Sequence, residues 1–93
     1  MIRTFASKDA AALFEGRQVR RWANLEAAIM RKLAMLHRSA SLDDLRVPPG
    51  NRLEALKGDR AGQHSIRVND QYRICFVFRN GDAFNVDVVD YHR

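Results

Sequence analysis

The sequence predicts an α/β fold of the α+β kind: helices cover one side of a mostly antiparallel sheet of about four to five strands. Three observations carry that prediction. Residues 63–92 read QHSIRVNDQYRICFVFRNGDAFNVDVVDYH, three runs separated by Asn69-Asp70-Gln71 and by Asn80-Gly81-Asp82. Asn-Gly between two apolar runs signals a tight hairpin, because both residues tolerate positive φ. The middle run is apolar on both faces over 74–78, as expected of a central strand with helices against one side. Upstream, Leu25, Ile29, Leu33 and Leu36 recur at four, four and three residues, the stripe of an amphipathic helix.

The elements follow in order. Residues 2–5 form an edge or parallel strand docked on the main sheet, with Ile2 and Thr4 on one side and Arg3 and Phe5 on the other. Ser7 suits the N-cap of a short helix over 8–15, in which Ala10, Leu13 and Phe14 face inward. Gly16 ends it, and Arg17, Arg20, Arg21 and Trp22 lie in a connector. The longest helix spans about 25–37 with Asn24 as its cap, and His37, Arg31 and Arg38 sit toward the end where cations favour the helix dipole. Ser41 can cap a further turn over 42–45, with Asp43 and Asp44 in it. Val47-Pro48-Pro49-Gly50-Asn51 is a sharp turn. A short strand over 52–56 brings Leu53 and the Ala55-Leu56 pair to the core, and residues 57–62 make an exposed charged loop.

Alternation assigns the faces of the last three strands. In 63–68, His64, Ile66 and Val68 oppose Gln63, Ser65 and Arg67. In 72–78, Tyr72, Ile74, Phe76 and Phe78 oppose Arg73, Cys75, Val77 and Arg79. In 84–91, Phe84, Val86, Val88 and Asp90 oppose Asn85, Asp87, Val89 and Tyr91.

A chain of 93 residues is one domain, residues 1–93, with a modest core and little room for a deep cavity. Its formal net charge of +5 comes mostly from arginine, which binds phosphate bidentately, so the expected partner is a polyanion. Cys75 alone excludes a disulfide framework and a zinc motif, and its place in ICFVF makes it a small core residue. MIRTFASKDA lacks the pattern of a signal peptide, and no run reaches transmembrane length. A reducing cytoplasm, with no membrane association, is the expected setting.

A basic sheet face beside Asp90-Tyr91-His92 points to RNA handling. Cleavage by the ribose 2′-hydroxyl needs a base for its proton, an acid for the leaving 5′-oxygen and cations around the phosphorane, and requires no metal. The candidates are Glu54, Lys57, Arg60, Arg67, Arg73, Asp90, Tyr91 and His92. His92 is the natural proton carrier, and Asp90 shares its strand face if the strand persists that far. Tyr91 can stack on a base or cover the sheet edge. Arg73, inside an apolar strand, must find an acidic partner or a polar groove. Lys57 and Arg60 flank Gly58-Asp59 either as a phosphate-binding loop or as a solvated one. Arg52 and Glu54 have the period to share a face across from that loop. Asp87, Asp90 and His92 make no metal site, since Asp87 faces away from Asp90.

These residues resemble the HigB toxins of the RelE/ParE superfamily of bacterial toxin–antitoxin systems, nearest the GraT-like subgroup. The resemblance covers essentially the full length and is strongest in PPGNRLEALKGDRAGQHSIRVNDQYRICFVF and the terminal VDYH. It implies a RelE-like fold, two helices on one side of a curved sheet whose other side is a basic concave surface. It also implies a metal-independent endoribonuclease, without a cofactor, that cuts messenger RNA in the A site of the 70S ribosome and so inhibits translation. The implied partner is a HigA-like helix-turn-helix antitoxin, through which alone the pair would contact operator DNA. By position, Lys57 and Arg73 match basic residues at the scissile phosphate, and Asp90, Tyr91 and His92 match the acid–base and base-stacking group. Well-studied relatives have a histidine where this chain has Glu54. A glutamate can still act as base, but losing an imidazole implies slower cleavage or a changed pH dependence.

The expected catalytic set is therefore Glu54, Lys57, Arg73, Asp90, Tyr91 and His92, with RNA bound by Arg52, Lys57, Arg60, Arg67 and Arg73. Two other functions fit the same fold: a ParE-type gyrase inhibitor that needs no acid–base cluster, and an RNA- or ribosome-binding module without cleavage.

Overall fold

The computed structural model describes residues 1–91, so the role expected of His92 falls outside the described residues. Ser7 caps helix α1 (Lys8–Phe14), its Oγ accepting from Ala10 N at 3.1 Å. The helix ends one residue earlier than expected, with Glu15 as its C-cap. Gly16 follows at φ +90, a conformation that an L side chain would resist. Helix α2 (Glu26–Arg38) begins after Leu25 rather than at an Asn24 cap. The chain enters it from a 3-10 turn, Arg20–Trp22, in which Trp22 O accepts from Leu25 N, so no side-chain cap forms. Ile29, Leu33 and Leu36 of its stripe are fully buried, each contributing about 1.5–3 kcal/mol of burial. The turn Leu42–Arg46 carries a capping box between Ser41 and Asp44.

The sheet consists of β1 (Glu54–Ala55), β2 (His64–Arg67), β3 (Tyr72–Arg79) and β4 (Asp82–Asp90), in that order and antiparallel throughout. Both helices lie against one face, where Ile66, Ile74, Phe76, Ala83, Val86 and Val88 meet the stripe of α2 in one core. The opposite face carries Glu54, Ser65, Arg67, Arg73 and Cys75. No helix among the described residues is long and apolar enough to cross a membrane.

Three expectations change. The strand over 52–56 shrinks to two residues, because Arg52 takes a left-handed conformation at φ +45 after the turn Pro49–Asn51. Leu53 and Leu56 still reach the core, while Ala55 is exposed. On β4 the register slips: Cys75 pairs with Asp87, but Val77 pairs with Phe84. Asn85, at φ +53, is the extra residue of this bulge. It turns Phe84 away from Val86 and onto the face of Val77, and Ala83 takes the core position instead. The segment 2–5 does dock in parallel on β4, but through two bridges, Ile2 to Ala83 and Phe5 to Val86, that straddle the bulge. Ile2 and Phe5 therefore both pack inward, rather than on opposite sides.

Candidate functional site

The sheet face opposite the helices opens into a cleft of about 530 Å³ lined by Arg52, Glu54, Arg67, Asn69, Asp70, Arg73 and Tyr91. Its floor follows from strand register. Arg67 and Arg73 are directly opposed across β2 and β3, and Glu54 is opposed to Ser65 across β1 and β2. Like charges facing each other across a strand pair cost stability, so this pairing needs compensation from its surroundings.

Compensation is built in around each guanidinium. Arg73 is only 6% exposed. Its Nε donates to the buried Ser65 Oγ at 2.7 Å, and its Nη2 donates to the carbonyls of Arg52 and, at 3.3 Å, Ser65. Its Nη1 lies 3.9 Å from Glu54 Oε1, the acidic partner that burial demands. Arg67, about a third exposed, pairs instead with Asp70 at the rim. Asn69 shapes that rim, its Oδ1 accepting from Gln71 N at 2.9 Å and Tyr72 N at 2.7 Å. The Tyr91 ring stands 5.9 Å from Arg73 Cζ, closing the end of the cleft with an aromatic face beside the cation.

Beneath β1 and β2, Asn51 is fully buried and anchors the loop that precedes Arg52. Its Nδ2 donates to Leu45 O at 3.1 Å, and its Oδ1 accepts from Lys32 Nζ. Burial, then the charges of Arg31 and Arg67, hold the Lys32 ammonium below the usual lysine range. Burial also pushes the Cys75 thiol up, with the Arg60 guanidinium acting in the opposite direction.

The structure thus brings together Arg52, Glu54, Arg67, Arg73 and Tyr91. Asp90 pairs with Tyr72 and by alternation faces the helix side of β4, with Gln71 Nε2 donating to its Oδ2 at 3.1 Å. Lys57 and Arg60 belong to the turn around Gly58–Arg60 and do not line the cleft among the described residues. Arg60 bonds Gln63 Oε1 at 3.1 Å. Ser65 was not foreseen as a site residue, although alternation already put it on the face of Arg67. Asn69 and Asp70, which the sequence marks only as a turn, also line the cleft. Among the described residues, no three His, Cys, Asp or Glu side chains converge to hold a metal ion.

A family model described as the RelE-like toxin of the type II toxin–antitoxin system HigB matches residues 3–92. Toxin HigB-1 of Vibrio cholerae is 48% identical over 62 residues, covering 67% of this chain and 65% of that protein. Endoribonuclease HigB of Proteus vulgaris is 51% identical over 41 residues, 44% of this chain and 45% of its own. The alignments thus cover less than two thirds of these relatives' lengths. The fold is similar to that in a heterotetrameric YoeB–YefM toxin–antitoxin complex from Staphylococcus aureus, with a TM-score of 0.62 over 100% of this chain and 99% of that one at 16% identity. A YoeB/ParE toxin from Agrobacterium tumefaciens gives 0.51 over 98% and 99% at 17% identity. With the family model spanning almost the whole chain, this protein belongs to the HigB-like toxins, RelE-like members of type II toxin–antitoxin systems.

Proposed function

We propose that this chain is a ribosome-dependent endoribonuclease that cuts messenger RNA in the cleft and so halts translation. The observation that carries the reading is the directly opposed pair Arg67 and Arg73, on one sheet face beside the Tyr91 ring. Two arginines rooted opposite each other, Arg73 on the floor and Arg67 toward the rim, put two cations in one cleft that a phosphodiester can enter.

In this reading Arg67 and Arg73 grip the scissile phosphate, Arg52 adds charge at the rim, and Tyr91 stacks on a neighbouring base. Glu54, at the cleft wall, accepts the 2′-hydroxyl proton. The 2′-oxygen then bonds to phosphorus as the bond to the 5′-oxygen breaks. That oxygen takes a proton from His92, the residue after Tyr91. The products are a 2′,3′-cyclic phosphate and a 5′-hydroxyl end, with no metal and no cofactor consumed. Asp90, whose Oδ2 also accepts from Gln71 Nε2, orients the imidazole and raises its pKa for this transfer. Lys57 and Arg60 contact RNA outside the cleft.

The partner that restrains the toxin is a HigA-like helix-turn-helix antitoxin, and the substrate places the activity in the cytoplasm. The test is 5′-end mapping of mRNA on 70S ribosomes with wild type, Arg67→Ala and Tyr91→Ala. New ends within the A-site codon for wild type, reduced in both variants, are expected. No new ends with active ribosomes would overturn the reading. Inhibition of DNA supercoiling in its place would mark a gyrase poison.

A further inference from the structure

The bulge at Asn85 places an aromatic ring where alternation alone would not. Phe84 stands across from Val77, on the sheet face that carries the cleft. Arg79 lies on the same face, exposed, with its Cζ 4.8 Å from the Phe84 ring centre. Arg79 is also across from Asp82, but that carboxylate is already engaged by Arg3 at 3.2 Å and the N-terminal ammonium at 3.5 Å. The result is a guanidinium stacked on a half-buried ring and open to solvent. Such a pair is a base-stacking platform that tolerates any sequence, because every base has a π-face.

The platform lies on the same sheet face as the cleft, further along β3. Val77 is four residues along β3 from Arg73, about 14 Å at about 3.4 Å per residue. About four stacked nucleotides cover that distance at about 3.4 Å each. Arg60 flanks the Val77 end of this path, tied to Gln63 Oε1 at 3.1 Å just before His64, which is across from Phe76. Asp87 borders the β4 side of this path and would deflect a polyanion toward Arg60, which is the β2 side.

Resting on the RNA reading above, we infer that the Arg79–Phe84 pair is a second subsite, which stacks a base of the same single-stranded RNA chain about four nucleotides from the scissile phosphate. Arg60 contacts the intervening phosphates.

The test is an amide chemical-shift titration of the full chain with 2′-O-methyl oligouridylates, which cannot be cleaved. A dinucleotide should move the amides of Arg67, Arg73 and Tyr91 only. An octanucleotide should also move those of Val77, Arg79 and Phe84. Phe84→Leu keeps the apolar cover of the sheet and removes the stacking face; it should weaken octanucleotide binding about tenfold and leave the dinucleotide unchanged. Octanucleotide shifts that stop at the cleft, or equal binding by Phe84→Leu, would overturn this subsite while leaving the cleft assignment intact. Equal shifts at Phe84 with poly-glutamate would show an electrostatic surface without base stacking, and would also overturn it. No shift at any of these residues with either RNA would overturn the subsite, while the 5′-end mapping on 70S ribosomes decides the RNA reading separately.

Discussion

Replacing Ser65 with alanine removes the acceptor that holds Arg73 Nε at 2.7 Å. Both residues are buried, so no water replaces the lost hydroxyl on the scale of that bond. A hydrogen bond to a charged group is worth about 1.5–3 kcal/mol, and a donor left buried and unpaired adds its desolvation, so Ser65→Ala should cost about 2–3 kcal/mol. For a domain of this size each kcal/mol shifts Tm by about 4–8 °C, so a drop of about 10–20 °C is expected. Trp22 is 1% exposed and the sole tryptophan, so its fluorescence follows urea unfolding directly. The midpoint should fall with an unchanged slope. The loss should also be coupled to Arg73. In an Arg73→Met background the Ser65→Ala change should cost at least 1 kcal/mol less, because no guanidinium then needs the acceptor. A cost below about 0.5 kcal/mol, or equal costs in the two backgrounds, would refute the view that Ser65 positions Arg73.

Arg67→Ala removes a cation whose rim ion pair with Asp70 adds at most about 1 kcal/mol, so stability should barely move. RNA binding should weaken, and the slope of log K against log salt should lessen by about 0.7, as counted by a salt titration. Glu54→His puts an imidazole at the cleft wall, where the carboxylate now stands. Cleavage near neutral pH should accelerate, and an unchanged rate would remove Glu54 from the proton path. Cys75 has a raised thiol pKa in the folded state, so its contribution to stability is complete below the ordinary value of 9.0 and declines above it, as the unfolded chain loses its proton first. Urea midpoints should fall less steeply above that pH in Cys75→Ala, and the native thiol should resist thiol reagents until unfolding.

The parts of this fold fixed by local chemistry were legible. Asn80 and Gly81 both adopt positive φ, the conformation that an Asn-Gly hairpin requires, and Ser7 caps α1 as its side chain suggested. The stripe of α2 needs only the helical period to be seen. Alternation also placed Ser65, Arg67 and Arg73 on their faces, and set Asp90 and Tyr91 on opposite ones. What alternation could not supply was register. Arg67 meets Arg73 because the turn closes at Val68 N to Tyr72 O, with Asn69 bonding two amides. The bulge was hidden for a different reason. Asn85 is held by Thr4, whose Oγ1 accepts from its backbone N–H at 2.8 Å, 81 residues away in sequence. Alternation alone therefore puts Phe84 on the core face, and the bulge moves it beside Arg79. Similarly, nothing in Arg52 itself announces φ +45; the Pro49–Asn51 turn imposes it.

In the proposed mechanism the opposed arginines hold an RNA phosphate while the adjoining ribose attacks it. Substituting hydrogen for the 2′-hydroxyl at the mapped cleavage position of a ribosome-bound mRNA isolates that step. Cleavage there should vanish while binding to the programmed ribosome is retained. Undiminished cutting at the deoxy position would contradict attack by the 2′-hydroxyl.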